Sequence, residues 1–183
     1  MRELSLNILD IAENSIKAGA SIIDISLTLR GKLLEISVRD NGCGMDADFL
    51  AKVTDPFTTS RTTRKVGLGI PLFKMAAEMT GGKFEISSKK GEGTLTKAVF
   101  VIDSVDFMPM GDIGDTMGAL IMHAPNVSFF LNVDFDGRVY GFDTMEIKDV
   151  LGDDVAIDAV EVIDFIKRTV KENFDNINGG IIL

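Results

Sequence analysis

Residues 4 to 18 place Leu4, Ile8, Ile11 and Ala12 at helical spacing, with Gly19 behind them as a stop, and this predicts an opening helix. From Ile22 to Leu29 the period changes to two: Ile23, Ile25, Leu27 and Leu29 alternate with polar residues. After the turn "RGK", Leu34, Ile36 and Val38 form a second alternating row, so a β-hairpin is predicted. "DADFLAKV" (46–53) reads as a short helix with Asp46 as N-cap. The Thr-rich, basic stretch "TDPFTTSRTTRKVG" (54–67) has no apolar period and reads as a loop. Ile70 to Thr80 is helical by pattern, with Pro71 in its first turn and Gly81-Gly82 at its end. Strands follow at Lys83 to Ser88 and Leu95 to Ile102, joined by "KKGEG".

The Asp-, Gly- and Met-rich stretch "DSVDFMPMGDIGD" (103–115) marks a change of character, and a boundary is placed there. Residues 1–102 form one predicted domain and residues 103–183 a small α+β C-terminal subdomain. Within the latter, the pattern predicts a helix ending at His123, a hairpin turning at Asp136-Gly137, a short helix from Thr144, and a last helix over 158–176. The expected fold class is α/β, a two-layer sandwich with helices on one face of a mixed sheet.

Composition narrows the function. With 183 residues, 45% of them hydrophobic, the chain can bury a real core. The net charge of −9 argues against a broad nucleic-acid-binding surface. A single cysteine, Cys43, excludes an intrachain disulfide and a cysteine metal cage, which suits a reducing compartment. No apolar run reaches membrane-spanning length. A soluble cytoplasmic protein with no membrane or nucleic-acid partner is the expectation.

The chemistry concentrates in three places. Asp40 shares the parity of Leu34, Ile36 and Val38, so a regular strand turns its carboxylate toward the apolar layer, where it requires hydrogen-bond donors. Asp10 and Asn14 lie one turn apart on the first helix. The amide oxygen of Asn14 is a hard ligand suited to Mg²⁺, and Asp10 could orient a water, although a simple polar helix face would look the same. Gly42 and Gly44 would let the backbone approach a flat ligand. Gly67, Leu68 and Gly69 stand where a helix begins, and Arg61, Arg64 and Lys65 lie just before them, an arrangement suited to phosphate.

Asn14, the Asp40-Gly42-Gly44 set, "DPFTTSR", "GLG" and "GEGT" occur in the order found in the GHKL ATPases, the superfamily of gyrase, heat-shock chaperone, MutL and histidine-kinase ATP-binding domains. "AENSIKAGASIIDI" followed by "RDNGCGM" resembles MutL, whereas "DPFTTSR" through "GEGT" resembles sensor histidine kinases. The resemblance covers roughly residues 4–102 and implies the Bergerat-type sandwich, with ATP and Mg²⁺ as cofactors. It implies that Asn14 holds the metal, that Asp40 accepts from the adenine amino group, that Gly42 and Gly44 shape the adenine pocket, and that Thr94 helps bind the adenine edge. It assigns Phe57, Thr58, Thr59 and Arg61 to the start of an ATP lid, and Gly67, Leu68 and Gly69 to the phosphates.

Two positions depart from the pattern. Lys65 replaces a glycine usual in kinases and would meet phosphate by charge, while Asp10 stands where gyrase and MutL carry the catalytic Glu. Three activities stay open: a slow ATPase or nucleotide switch acting on a partner protein, a protein kinase acting in trans, or a non-hydrolysing regulatory subunit. A complete larger relative is not expected, because no dimerising hairpin precedes residue 4 and the last eighty or so residues are short for a transducer and effector body. His123, Cys43 and the methionines at 108–122 are expected to be structural.

Overall fold

The computed structural model describes residues 3–54 and 68–181. Helix α1 (Leu4–Lys17) ends where Gly19 takes a φ of 75°, a conformation that favours glycine. Strands β1 (Ile22–Arg30) and β2 (Leu33–Asp40) form the expected hairpin. Helix α2 (Ala47–Leu50) is capped by Asp46, whose carboxylate accepts from the Phe49 N–H at 2.8 Å. Helix α3 (Gly69–Met79) precedes the antiparallel pair β3 (Lys83–Lys89) and β4 (Gly93–Val101).

Beyond these come α4 (Ile113–His123), the hairpin β5 (Ser128–Phe135) and β6 (Arg138–Asp143), α5 (Thr144–Leu151) and α6 (Val160–Asn178). At the β5–β6 turn Asp136 and Gly137 both adopt positive φ, 51° and 88°, which suits a two-residue hairpin loop.

The strands form one mixed sheet in the order β3-β4-β2-β1-β5-β6. All neighbours are antiparallel except β1 and β5, which run parallel from Ile22↔Ser128 to Leu29↔Phe135. Residues 103–181 have the α+β content expected of them, but their strands extend the same sheet. β5 satisfies the backbone edge that β1 would otherwise leave open, and α4 packs beside α1. Arg30 clasps the Asp134 carboxylate across this seam at 2.8 and 2.5 Å.

Register explains which face is covered. Ile25, Val38, Thr96 and Leu131 are aligned across four strands, as are Leu27, Ile36, Ala98 and Val133, and all eight are buried. This row lies under Ile8 and Ile11 of α1, Phe73 of α3, Leu120 of α4 and Ile166 of α6, which belong to the same core. The other face carries Asp24, Ser26, Thr28, Glu35 and Ser37, all partly open to solvent. The two-layer sandwich is therefore a direct consequence of period-two strands under amphipathic helices. No helix among the described residues is long and apolar enough to cross a membrane.

Candidate functional site

The carboxylate of Asp40 turns inward as its parity requires, and the residue is 9% exposed. Three donors meet it: the Ser15 hydroxyl on Oδ2 at 2.6 Å, and the N–H groups of Gly42 and Thr94 on Oδ1 at 2.9 and 3.2 Å. Ser15 is the residue the sequence pattern did not single out. It follows Asn14 directly and lies one turn beyond Ile11 on the buried side of α1.

Asp40 forms part of the wall of a cavity of about 380 Å³, a size proper to a small-molecule site. Ile11 and Asn14 of α1 and Ala18 just after it line one side, Met45, Phe49 and Val53 another, and Thr94 and Thr96 of β4 a third. Ile70 from the first turn of α3 and Lys90 from the β3–β4 turn complete the rim. The walls are mainly apolar with a few convergent polar groups, the composition expected where a flat ring is held and oriented.

The structure brings Asn14, Asp40, Gly44 and Thr94 together around this space. The side-chain amide of Asn14 has no hydrogen-bond partner among the described residues, so its oxygen is available to a ligand or metal. Among the described residues no cluster of three His, Cys, Asp or Glu could hold a metal alone. A hard cation here would depend on Asn14 together with oxygens brought by the ligand, a division suited to Mg²⁺.

The two glycines also bring the chain close to itself. A Cβ on Gly42 would lie 3.0 Å from Ala18 Cβ and 3.1 Å from Asp40 Oδ1, so this glycine lets the loop close on α1 behind the carboxylate. Gly44, at a φ of 62°, passes so near the Lys89 carbonyl that any side chain would collide with it. Further bonds pin the same loop: Cys43 N–H donates to the Ala18 carbonyl at 2.9 Å, and Met45 N–H to Ser88 Oγ at 2.8 Å. The close approach is of chain to chain, and it fixes the cavity wall in advance of any ligand.

Asp10 does not line the cavity. It is an exposed residue of α1 whose Cβ would lie 2.8 Å from a Cβ placed on Gly69, the first residue of α3. Gly69 thus allows Asp10 to sit against the helix start, where free N–H groups and the dipole favour negative charge. Leu68 is half exposed beside it. Phe57, Thr58, Thr59, Arg61, Arg64, Lys65 and Gly67 lie outside the described residues. Cys43 is exposed and borders the cavity, so it is not the packed residue expected. His123 is likewise exposed, in the last turn of α4, whereas Met110 and Met117 are in the core.

A buried, oriented carboxylate in an apolar slot with a helix N-terminus at its rim suits one class of protein, those that bind a flat nitrogen heterocycle carrying phosphates. The chain belongs to the histidine kinase-, DNA gyrase B- and HSP90-like ATPase family, whose profile matches residues 2–104. It therefore contains a GHKL ATP-binding domain.

Among its relatives, the Escherichia coli signal transduction histidine-protein kinase AtoS is 29% identical over 103 residues, 56% of this chain and 17% of that protein. The Rhizobium meliloti sensor-like histidine kinase R01002 is 35% identical over 79 residues, 40% of this chain and 15% of that protein. The chain thus spans a small part of the length of these curated relatives. The solved Aquifex aeolicus MutL ATPase domain complexed with ADP superposes with a TM-score of 0.52 at 14% identity, covering 82% of this chain and 69% of that one. That likeness covers more of the chain than the family match does.

Proposed function

We propose that the chain binds ATP with Mg²⁺ in this cavity and acts as a slow ATPase or nucleotide switch on a partner protein. The observation that carries the reading is Asp40, a carboxylate fixed from α1, its own loop and β4 at the wall of an apolar slot. It would accept from the exocyclic amine of adenine, while Ser15 holds it in place and Thr94 supports the ring edge. Guanine presents an oxygen at the equivalent position and would meet acceptor with acceptor.

The phosphates would run toward the start of α3, where Gly69 and its neighbours offer N–H groups, and Asn14 would hold the cation beside them. Bound Mg²⁺ supplies neutralisation of the phosphate oxygens. Phe57, Thr58, Thr59, Arg61, Lys65, Gly67 and Leu68 are assigned to the lid and phosphates on the sequence resemblance. Asp10 would receive the proton of an attacking water, from a carboxylate one methylene shorter than the usual Glu. A partner would quicken this slow step by closing the site.

The sensor kinases among the relatives favour a second reading, phosphoryl transfer to an acceptor in trans. Incubation with γ-labelled ATP, with and without a phosphoacceptor protein, separates the two: free labelled phosphate from the chain alone supports the ATPase, and label moved onto the acceptor supports the kinase. Binding without either product contradicts both.

A further inference from the structure

Charge is not evenly shared along the chain. Residues 103–183 contain sixteen of the 28 acids and five of the 19 bases, so this stretch bears −11 and the rest +2. The imbalance is sharpest over 149–166, which has six carboxylates and no basic residue.

These six, Asp149, Asp153, Asp154, Asp158, Glu161 and Asp164, are all exposed, and none makes an ion pair or hydrogen bond through its side chain among the described residues. Lys148, the nearest cation in sequence, donates to the Val127 carbonyl at 3.3 Å. Elsewhere acids are neutralised: Asp134 by Arg30, Asp103 by Lys32, Asp112 by Lys171.

The same segment exposes aliphatic surface. Val150 is 86% exposed and Val155 43%. Between α5, the α5–α6 loop and the start of β5 lies a groove of about 650 Å³, lined by Asp149, Asp153 and Asp158 and by Lys148, together with Val155, Ala156 and Pro125. Apolar side chains in a groove whose three carboxylates outnumber the single ammonium of Lys148 make a docking surface, and the excess negative charge selects the partner. Nucleic acid and anionic membranes are repelled by it.

We infer that this groove docks a basic, amphipathic segment of a partner protein, with Lys or Arg meeting the carboxylates and aliphatic side chains meeting Val155 and Ala156. It is separate from the nucleotide cavity, and an ATP titration on every variant below keeps failure of one reading distinct from failure of the other.

The probe is a fluorescent sixteen-residue peptide of Lys and Leu in helical period, titrated into the full chain at low and high salt, beside octalysine and Ca²⁺ alone. One variant combines Asp149→Asn, Asp153→Asn, Asp154→Asn and Asp158→Asn. The control combines Glu78→Gln, Glu85→Gln, Glu92→Gln and Asp106→Asn, which removes the same charge from exposed positions elsewhere. Expected are saturable one-to-one binding weakened by salt, a loss of at least about tenfold in the groove variant, and less than about twofold in the control. Val155→Ser should cost roughly threefold, and octalysine should bind at least about tenfold more weakly than the amphipathic peptide. Equal losses in both charge variants would reduce the effect to net charge and overturn the inference. So would octalysine binding as well as the peptide, the absence of saturable binding, or displacement of the peptide by micromolar Ca²⁺.

Discussion

A single hydroxyl decides how well Asp40 is aimed. Ser15 Oγ lies 2.6 Å from Asp40 Oδ2 and both residues are buried. Deleting a hydrogen bond to a charged group removes about 1.5–3 kcal/mol, part of which falls on stability and part on ligand orientation. Ser15→Ala is therefore expected to lower ATP affinity by roughly tenfold in calorimetry and to lower the melting temperature, while Ser15→Thr, which keeps the hydroxyl, restores part of both. Unchanged affinity in Ser15→Ala would show that Asp40 is held well enough by Gly42 and Thr94 alone. Asp10 is a matter of reach: a misplacement of about 1 Å can cost on the order of a hundredfold in rate. Asp10→Asn should abolish turnover with binding preserved, and Asp10→Glu should raise it. Single-turnover rates in Asp10→Asn equal to wild type would remove Asp10 from the mechanism.

Between elements, the decisive contacts are made by backbone. Gly44 adopts positive φ and abuts the Lys89 carbonyl, and Gly93, at a φ of 101°, abuts the Asp40 carbonyl. Gly44→Ala must separate the cavity loop from the β3–β4 turn, so a loss of roughly 1–3 kcal/mol by denaturant unfolding is expected, together with weaker nucleotide binding. The β1–β5 seam yields a pH dependence. Arg30 and the Gly137 N–H hold the Asp134 carboxyl below the ordinary carboxylate range, in that order of effect. Its contribution is present above the unfolded pKa of about 4 and fades as pH falls through the lower folded value. Asp134→Asn should accordingly narrow the stability difference between pH 6 and pH 3, whereas an unchanged difference would mean that the exposed pair contributes nothing measurable.

At the level of the whole molecule, local pattern and long-range pairing divide what the sequence reveals. The α1 helix, both early strands and the inward turn of Asp40 follow from periods of 3.6 and 2, which each segment displays by itself. Ser15 as partner of Asp40 was not legible, because it depends on how α1 lies across β2. Nor was the parallel pairing of β1 with β5, since strands about a hundred residues apart share no local signature and "DSVDFMPMGDIGD" looks like a boundary. The glycines were legible as tight positions, but not as contacts between loop, helix and turn. On the proposed reading, these parts converge on a slot preset for adenine. Isothermal titration of ATP and GTP with Mg²⁺ into wild type and Asp40→Asn tests that most directly. ATP should bind wild type at least about tenfold more tightly than GTP, and Asp40→Asn should weaken ATP by roughly ten- to a hundredfold while narrowing the preference. Equal affinity for the two nucleotides in wild type, or an Asp40→Asn variant that binds ATP as tightly as wild type, would contradict it.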